Sequence, residues 1–171
     1  MRCSLAKSCR RPRPGMSPPP ANRCRIGSRS SDSSEPSISP ARVVIDASAA
    51  IYLASSAEGF TSLDATELVA PSLFWSESLS GLHQGLYRGA ISRELADIAR
   101  TALASAPILR NDPPDLFERA WSIAETLGWA KTYDAEYVAL AQILDVPLLT
   151  RDGKLYRGAS GIVAVLGPTE L

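Results

Sequence analysis

The sequence predicts an α/β fold: a three-layer α/β/α sandwich with a mostly parallel central sheet, preceded by a disordered N-terminal tail. From residue 43 onward, short apolar runs rich in β-branched residues alternate with amphipathic helical segments. This alternation is typical of crossover connections, which place helices on both faces of a parallel sheet. Residues 1–41 are instead rich in Arg, Ser and Pro, so they bury too little apolar surface to fold.

The charge of the chain is divided between these two parts. The net charge is zero, but residues 1–42 hold nine Lys or Arg and two acidic residues, a balance of +7. Residues 43–171 hold nine basic and sixteen acidic residues, a balance of −7. We therefore expect a basic tail at 1–42 and one folded domain at 43–171. A basic tail can contact nucleic acid or lipid headgroups, whereas an acidic body needs a local reason to bind a polyanion.

Cysteine usage and hydropathy exclude several classes of protein. Cys3, Cys9 and Cys24 all lie in the tail, which excludes a disulfide framework or a zinc thiolate site in the folded domain. No apolar run approaches the roughly 20 residues of a membrane span. The tail lacks the continuous apolar stretch of a secretory signal, so we expect a cytoplasmic protein with no membrane partner. A transit peptide and a start at Met16 are alternative explanations of the tail.

The first elements of the domain follow from apolar spacing. The run VVID at 43–46 suits a buried central strand, and helical spacing follows at 48–56. ELVA at 67–70 is expected to be the second strand. Pro71-Ser72 then opens a helix to about residue 87, because proline is pre-set for a first turn. The apolar stripe expected on this helix consists of Trp75, Leu79, Leu82 and Leu86.

The remaining elements continue to alternate in type. In chain order we expect a helix at 92–105, a short strand within 106–110, helices at 115–127 and 133–144, and strands at 146–150 and 162–166. Residues 111–114, with two prolines, break the chain, and Gly128 ends the following helix. The helix at 133–144 presents one face made of Tyr133, Tyr137, Leu140, Ala141 and Leu144.

Four acidic residues stand where this topology places them on one edge of the sheet. They are Asp46 at the end of the first strand, Glu77 in the helix leaving the second, Asp134 opening the helix toward the fourth, and Asp152 just past the fourth. The C-terminal ends of parallel strands share one edge, where ligands bind. Carboxylates gathered at one point repel each other unless a cation neutralises them. Because oxygen ligands select hard cations, we expect a site for Mg²⁺, with Mn²⁺ as an alternative.

Each of these acids also has an ordinary structural explanation. Asp46 can cap a helix, and Asp134 suits the dipole of a helix N-terminus. Asp152 before glycine is a common turn signal, and Glu77 lies opposite the apolar stripe, where a solvated glutamate is unremarkable in itself. These separate explanations leave the common edge a coincidence. His83, the single histidine, is expected to be a surface or packing residue.

Four segments of the domain carry a more specific pattern. They are VVIDASAAIYL, LVAPSLFWSESLSGL, KTYDAEYVALAQILDVPLLTRDGKL and the closing strand IVAV. The third is the most specific, since an acidic residue opens a helix and the following apolar strand ends in Thr-x-Asp. With these segments the chain resembles a PIN domain from about Val43 to Leu166, and within that family a VapC-type toxin ribonuclease.

The resemblance implies a metal-dependent ribonuclease that hydrolyses RNA phosphodiester bonds, the toxin of a toxin–antitoxin pair that inhibits translation. It implies the following site: Asp46, Glu77, Asp134 and Asp152 as catalytic and metal-binding residues, and Ser48 and Thr150 as supporting hydroxyls. It also implies a homodimer and a small antitoxin protein that inserts into the active-site groove. Exposed apolar surface is expected around the helices at 48–56 and 72–87, for dimerisation or for antitoxin docking.

Three basic residues surround the last aspartate, and several other functions compete with the toxin. Arg151, Lys154 and Arg157 either position phosphates near the metal or form a solvated loop. One alternative function is an RNA-processing PIN nuclease outside toxin–antitoxin systems, and another is a non-catalytic module that binds a partner. A phosphatase or phosphoacceptor domain fits less well, because Asp46 is followed by Ala and Ser rather than by the Asp-x-Asp pattern.

Overall fold

A computed structural model describes residues 41–167, so the predicted disorder of the tail lies outside the described residues. In chain order the elements are β1 Ala41–Ile45, α1 Ala47–Ser55, a 3-10 helix Gly59–Leu63, β2 Thr66–Ala70, α2 Leu73–Tyr87, α3 Arg93–Ala104, β3 Ile108–Arg110, α4 Leu116–Leu127, α5 Tyr133–Leu144, β4 Leu148–Leu149, α6 Gly153–Ala159 and β5 Val165–Leu166. Within this part of the chain, no helix is long and apolar enough to cross a membrane.

The strands form one sheet in the order β3-β2-β1-β4-β5, and every pair is parallel. Helices α1, α2 and α3 pack together, while α4 packs against α5. The predicted α/β fold class is therefore confirmed. The chain winds outward from β1 to β3 and then returns to the other side of β1, so its direction reverses between β1 and β4. Such a reversal opens a crevice at the C-terminal edge of a parallel sheet.

Strand β1 and helix α5 form the centre of the core. Val44 and Ile45 of β1 are fully buried. Seven consecutive residues of α5, from Ala135 to Ala141, are also buried, which requires contacts on more than one side of the helix. Alanine at 135, 139 and 141 allows α4 and the sheet to approach α5 closely. Of the residues predicted to share one face of this helix, Tyr137, Leu140 and Ala141 are buried, whereas Tyr133, the first residue, is 56% exposed.

The apolar stripe predicted on α2 does not coincide with the buried face of this helix. Leu79 is 55% exposed, and the buried face of α2 consists instead of Phe74, Ser78 and Leu82. The reason is a close helix contact, since a Cβ at Gly81 would lie 2.9 Å from Ile51 Cδ1 in α1. Small residues at 78 and 81 let α1 approach this face of α2. A hydrophobicity pattern does not register small residues as a packing surface.

The segment after β4 differs from the expected turn. Asp152 caps a short helix, α6, by accepting hydrogen bonds from Lys154 N at 2.6 Å and Leu155 N at 3.1 Å. Strands β4 and β5 each have only two residues, fewer than the five expected for each. Helix α6 packs closely on the end of α4 because Gly158 has no side chain: a Cβ there would overlap the indole ring of Trp129.

This close approach generates a prediction about stability. Replacing Gly158 with alanine forces the Trp129 ring out of its position, and we expect the free energy of unfolding to fall by about 1–3 kcal/mol. Thermal and urea unfolding measure the change. Gly161→Ala is the matched control, because nothing lies within 4 Å of a Cβ at that position. An unchanged stability of Gly158→Ala would contradict the packing described here.

Candidate active site

The carboxylate of Asp46 is buried at the C-terminal end of β1. Its side chain is only 4% exposed, and it caps α1 by accepting from Ala49 N at 2.8 Å. Ser48 Oγ also donates to this carboxylate, at 2.9 Å from each oxygen. Burial raises the pKa of Asp46 to about 6, and the hydrogen bonds lower it only in part. Asp46 therefore acts both as the helix cap expected of it and as a buried acid with an unusually high pKa.

Thr150, which follows β4, connects Asp46 at the end of β1 to the neighbouring strand β4. Its hydroxyl donates to Asp46 Oδ2 and accepts from Asp152 N at 3.0 Å. Arg151 N donates to Ser48 Oγ at 2.9 Å, which adds a second connection between the end of β4 and the start of α1. The two predicted hydroxyl residues thus connect the carboxyl ends of β1 and β4, where the crevice of this fold class opens.

Glu77 approaches the same edge from α2. It is half-buried, and Tyr137 Oη donates to its Oε2 at 2.7 Å. Burial raises the pKa of Glu77, the hydrogen bond from Tyr137 lowers it, and the charges of Asp134 and Asp152 raise it further. Glu77 also lines an open groove of about 550 Å³ along α2, which includes Tyr133 at the start of α5.

Asp134 and Asp152 complete the predicted quartet. Asp134 is half-buried in the first turn of α5, and Asp152 is exposed at the start of α6. Burial and the charge of Asp152 raise the pKa of Asp134, while Lys154 and Lys131 lower it. Both capping hydrogen bonds of Asp152 go to its Oδ1.

The four carboxylates are electrostatically coupled. Asp46 and Glu77 repel each other, as do Glu77 with Asp134 and Asp152, and Asp134 with Asp152. None of the four forms an ion pair with Lys or Arg within residues 41–167, where the ion pairs are Arg42–Glu67 and Arg100–Asp97. Repulsion between neighbouring acids without a paired cation is costly to a fold. The sheet edge therefore carries a concentration of negative charge that no ion pair within these residues neutralises.

Comparison with known proteins decides the family of this chain. A family profile described as the PIN domain matches residues 43–160. The chain belongs to the PIN domain family. Ribonuclease VapC3 from Mycobacterium tuberculosis is 35% identical over 127 residues, which are 71% of this chain and 90% of that protein. Ribonuclease VapC1 from the same organism is 39% identical over 90 residues, which are 50% of this chain and 63% of that protein.

Solved structures share the PIN fold of this chain. A crystal structure of a protein from Pyrobaculum aerophilum matches with a TM-score of 0.59 and 23% identity, covering 76% of this chain and 85% of that one. A toxin–antitoxin complex from Klebsiella pneumoniae matches with a TM-score of 0.52 and 24% identity, covering 75% and 99%. At these identities the similarity concerns the fold alone.

The four candidate metal ligands of this PIN domain suit a hard divalent cation in their chemistry, but they suit it less well in their positions. All four are carboxylates, and the raised pKa values of Asp46, Glu77 and Asp134, like the repulsion within the quartet, are what a bound cation relieves. Among residues 41–167, however, no three His, Cys, Asp or Glu side chains lie close enough together to hold one metal ion. The structure brings the quartet to one edge but does not gather it around one point, so the metal assignment stays a prediction.

The basic residues near Asp152 differ in their surroundings. The guanidinium of Arg151 stacks 3.8 Å from the centre of the Tyr52 ring, a contact that uses its flat face and leaves its N–H groups at the edge. Lys154 is exposed and close enough to Asp134 to lower its pKa. Arg157 lies beside Gly153 at the start of α6. His83 is exposed on α2, as expected.

Two residues near this site, Tyr137 and Glu136, were not among the site residues predicted from the sequence. Tyr137 was assigned to an apolar face, but its hydroxyl is the donor to Glu77. Its residue type was a usable signal, because a buried tyrosine needs a partner for its hydroxyl. Glu136 is 9% exposed, and burial together with the charges of Asp112 and Glu77 raises its pKa. The spacing of residues gave no signal for Glu136, because its helix is buried on more than one side and polar spacing does not mark an exposed face there.

The pKa of Asp46 predicts how stability depends on pH. The pKa is about 6 in the folded protein and 3.8 ordinarily, so the folded state binds more protons than the unfolded state between these values. The free energy of unfolding without metal should therefore fall as pH rises from about 4 to 7, by about 2–3 kcal/mol from this residue. Glu77 and Asp134 act in the same direction.

Chemical denaturation in a chelating buffer at pH 4.5, 6 and 7.5 measures this dependence. Asp46→Asn removes the titrating group, so its stability should change less over the same range. A wild-type stability that stays constant or rises over this window would show that Asp46 is not a buried carboxylate with a raised pKa.

Proposed function

We propose that this chain is a divalent-metal-dependent ribonuclease that hydrolyses RNA phosphodiester bonds in the cytoplasm, the toxin of a toxin–antitoxin pair. One observation carries the proposal: four mutually repelling carboxylates without ion pairs stand at the strand reversal of a PIN sheet. The VapC proteins that resemble this chain over most of their length are named ribonucleases, which supports RNA as the substrate.

Asp46, Glu77, Asp134 and Asp152 would hold the metal, directly or through water. Oxygen donors favour Mg²⁺, and Mn²⁺ accepts the same ligands. When bound, such an ion lowers the pKa of a coordinated water and stabilises negative charge in the transition state of phosphodiester hydrolysis. Ser48 and Thr150 would support the site by fixing the orientation of the Asp46 carboxylate.

The further role of each of the four acidic residues in the reaction would depend on how exposed its side chain is. Asp46 is buried and held by three donors, so it would anchor the site and not move during the reaction. Glu77 and Asp134 are half-buried, and water can reach them. Their raised pKa values make them better proton acceptors near neutral pH than ordinary carboxylates, which suits a general base for the attacking water.

Two cations would position the RNA backbone against this acidic edge. Lys154 is exposed beside Asp134, and the stacking of Arg151 on Tyr52 fixes its guanidinium while its N–H groups stay available. Contacts of this kind place phosphates but do not select sequence. We expect affinity for RNA to depend on these residues and on metal loading, because the described domain is otherwise acidic.

An antitoxin partner is part of the proposal. A largely apolar groove of about 350 Å³ lies between α2 and α3 and is lined by Phe74, Trp75, Ser78, Leu79, Arg100, Leu103 and Ala104. It coincides with exposed apolar surface on α2 of the kind expected for docking, which supports this groove as the place where an antitoxin segment packs. A homodimer stays a prediction, and light scattering tests it against the 18.3 kDa mass of one chain.

The proposal predicts that RNA cleavage requires both the metal and Asp46. The full-length protein should cleave single-stranded RNA in Mg²⁺ or Mn²⁺, and a chelator should stop cleavage. Asp46→Asn should reduce cleavage to the level of the chelated sample, because the anchoring carboxylate loses its charge. Cleavage is followed on end-labelled RNA of several sequences.

Asp145→Asn is the matched control for this experiment. Asp145 is an exposed aspartate at the other end of α5, with a left-handed backbone (φ 54°) that asparagine tolerates, so its variant should cleave like the wild type. Equal cleavage by Asp46→Asn and the wild type would reject the proposed site. Metal binding without cleavage of any RNA would favour a non-catalytic module.

A further inference from the structure

The hydroxyl of Tyr137 lies buried between the elements that carry the carboxylates. Tyr137 is 1% exposed, and its Oη donates to Glu77 Oε2 at 2.7 Å. The backbone N–H of Ala47, the residue after Asp46, lies near the same hydroxyl.

This hydroxyl lies where three helices meet. Ala47 begins α1, Glu77 belongs to α2, and Tyr137 itself belongs to α5. The carboxylate of Glu77 is hydrogen-bonded to an oxygen atom that lies beside the start of α1, where Asp46 is anchored. Because Tyr137 is packed in the core on the buried helix α5, that oxygen has little freedom to move.

The position of the Glu77 carboxylate depends on its hydrogen bond from Tyr137 more than the position of the Asp46 carboxylate depends on any single hydrogen bond. The Asp46 carboxylate accepts hydrogen bonds from Ser48, Thr150 and Ala49. Within residues 41–167, the bond from Tyr137 is the only hydrogen bond to the side chain of Glu77. Glu77 is half-buried, lines an open groove and is repelled by Asp134 and Asp152. Without Tyr137, no other hydrogen bond within residues 41–167 would hold the carboxylate of Glu77 near the other acids.

We propose that Tyr137 is a positioning residue of the carboxylate site, whose hydroxyl holds Glu77 against repulsion beside the start of α1, ready to receive a divalent cation. The inference rests on the proposed function and adds to it a residue that touches neither metal nor RNA. Groups that orient metal ligands typically change metal affinity or activity by about 10–100-fold when they are removed.

Tyr137→Phe tests this inference, because it removes one oxygen and keeps the ring that fills the core. Mn²⁺ binding is measured on the full chain by the electron paramagnetic resonance signal of free Mn²⁺, and RNA cleavage is measured against Mn²⁺ concentration. We expect the dissociation constant for Mn²⁺ to rise by about tenfold or more. At saturating Mn²⁺ the cleavage rate should recover more than the affinity does.

Tyr133→Phe is the matched control, since Tyr133 lies on the same helix four residues earlier and is 56% exposed. It should bind Mn²⁺ like the wild type. In a Glu77→Gln background, Tyr137→Phe should change Mn²⁺ affinity by less than about twofold, because the two residues act as one unit. A purely structural role of the hydroxyl would instead weaken Mn²⁺ binding equally in both backgrounds.

A second variant keeps the test decisive if Tyr137→Phe does not fold. Glu77→Asp retains a carboxylate but withdraws it from Tyr137 by one methylene, so Mn²⁺ affinity should again fall by about tenfold. If the wild type binds Mn²⁺ and either folded variant binds it equally well, the positioning role is wrong and the proposed function stands. If the wild type neither binds Mn²⁺ nor cleaves RNA, both are wrong.

Discussion

The carboxylate of Asp46 imposes the constraint on which the rest of this edge depends. A charge removed from water must be compensated, and here the partners are two hydroxyls and a backbone amide, with no cation among them. Ser48 and Ala49 donate from the first turn of α1, next to Asp46 in the sequence, whereas Thr150 donates from the end of β4, which the fold brings near. The strand order, which puts β4 beside β1, is therefore what makes a buried acid at position 46 tolerable.

Acidic side chains lie close together at this edge of the sheet, although a fold selected for stability alone would keep them apart. Glu77, Asp134 and Asp152 repel one another, and burial raises the pKa of the first two. Elsewhere the domain forms ordinary ion pairs, such as that between Arg42 and Glu67 on neighbouring strands. Within one sheet, the acids of the C-terminal edge thus lack the ion pairs found elsewhere, and the proposed divalent cation would relieve their repulsion. Strain of this kind at functional sites is a general feature of proteins.

Helix α5 joins the core to the site. Its alanines allow burial on more than one side, Tyr137 reaches Glu77 from within the core, and Asp134 projects from its first turn. Part of this was predictable: the parallel sheet follows from the alternation of strands and helices, the common edge of the four acids from that topology, and the two hydroxyls from the resemblance to a PIN domain. The inner face of α2 was not, because close contact at Gly81 with Ile51, and not hydrophobicity, decides which side faces inward.

By itself, the sequence determined the order of strands and helices, the fold class and the edge on which the acids stand, because apolar periodicity and residues at strand ends are local properties. Only the tertiary structure decided which donor meets which acid. The bond from Tyr137 to Glu77 joins residues 60 positions apart, and that from Thr150 to Asp46 joins residues 104 apart. Such pairs are set by the packing of helices on the sheet, which has no counterpart in any local pattern.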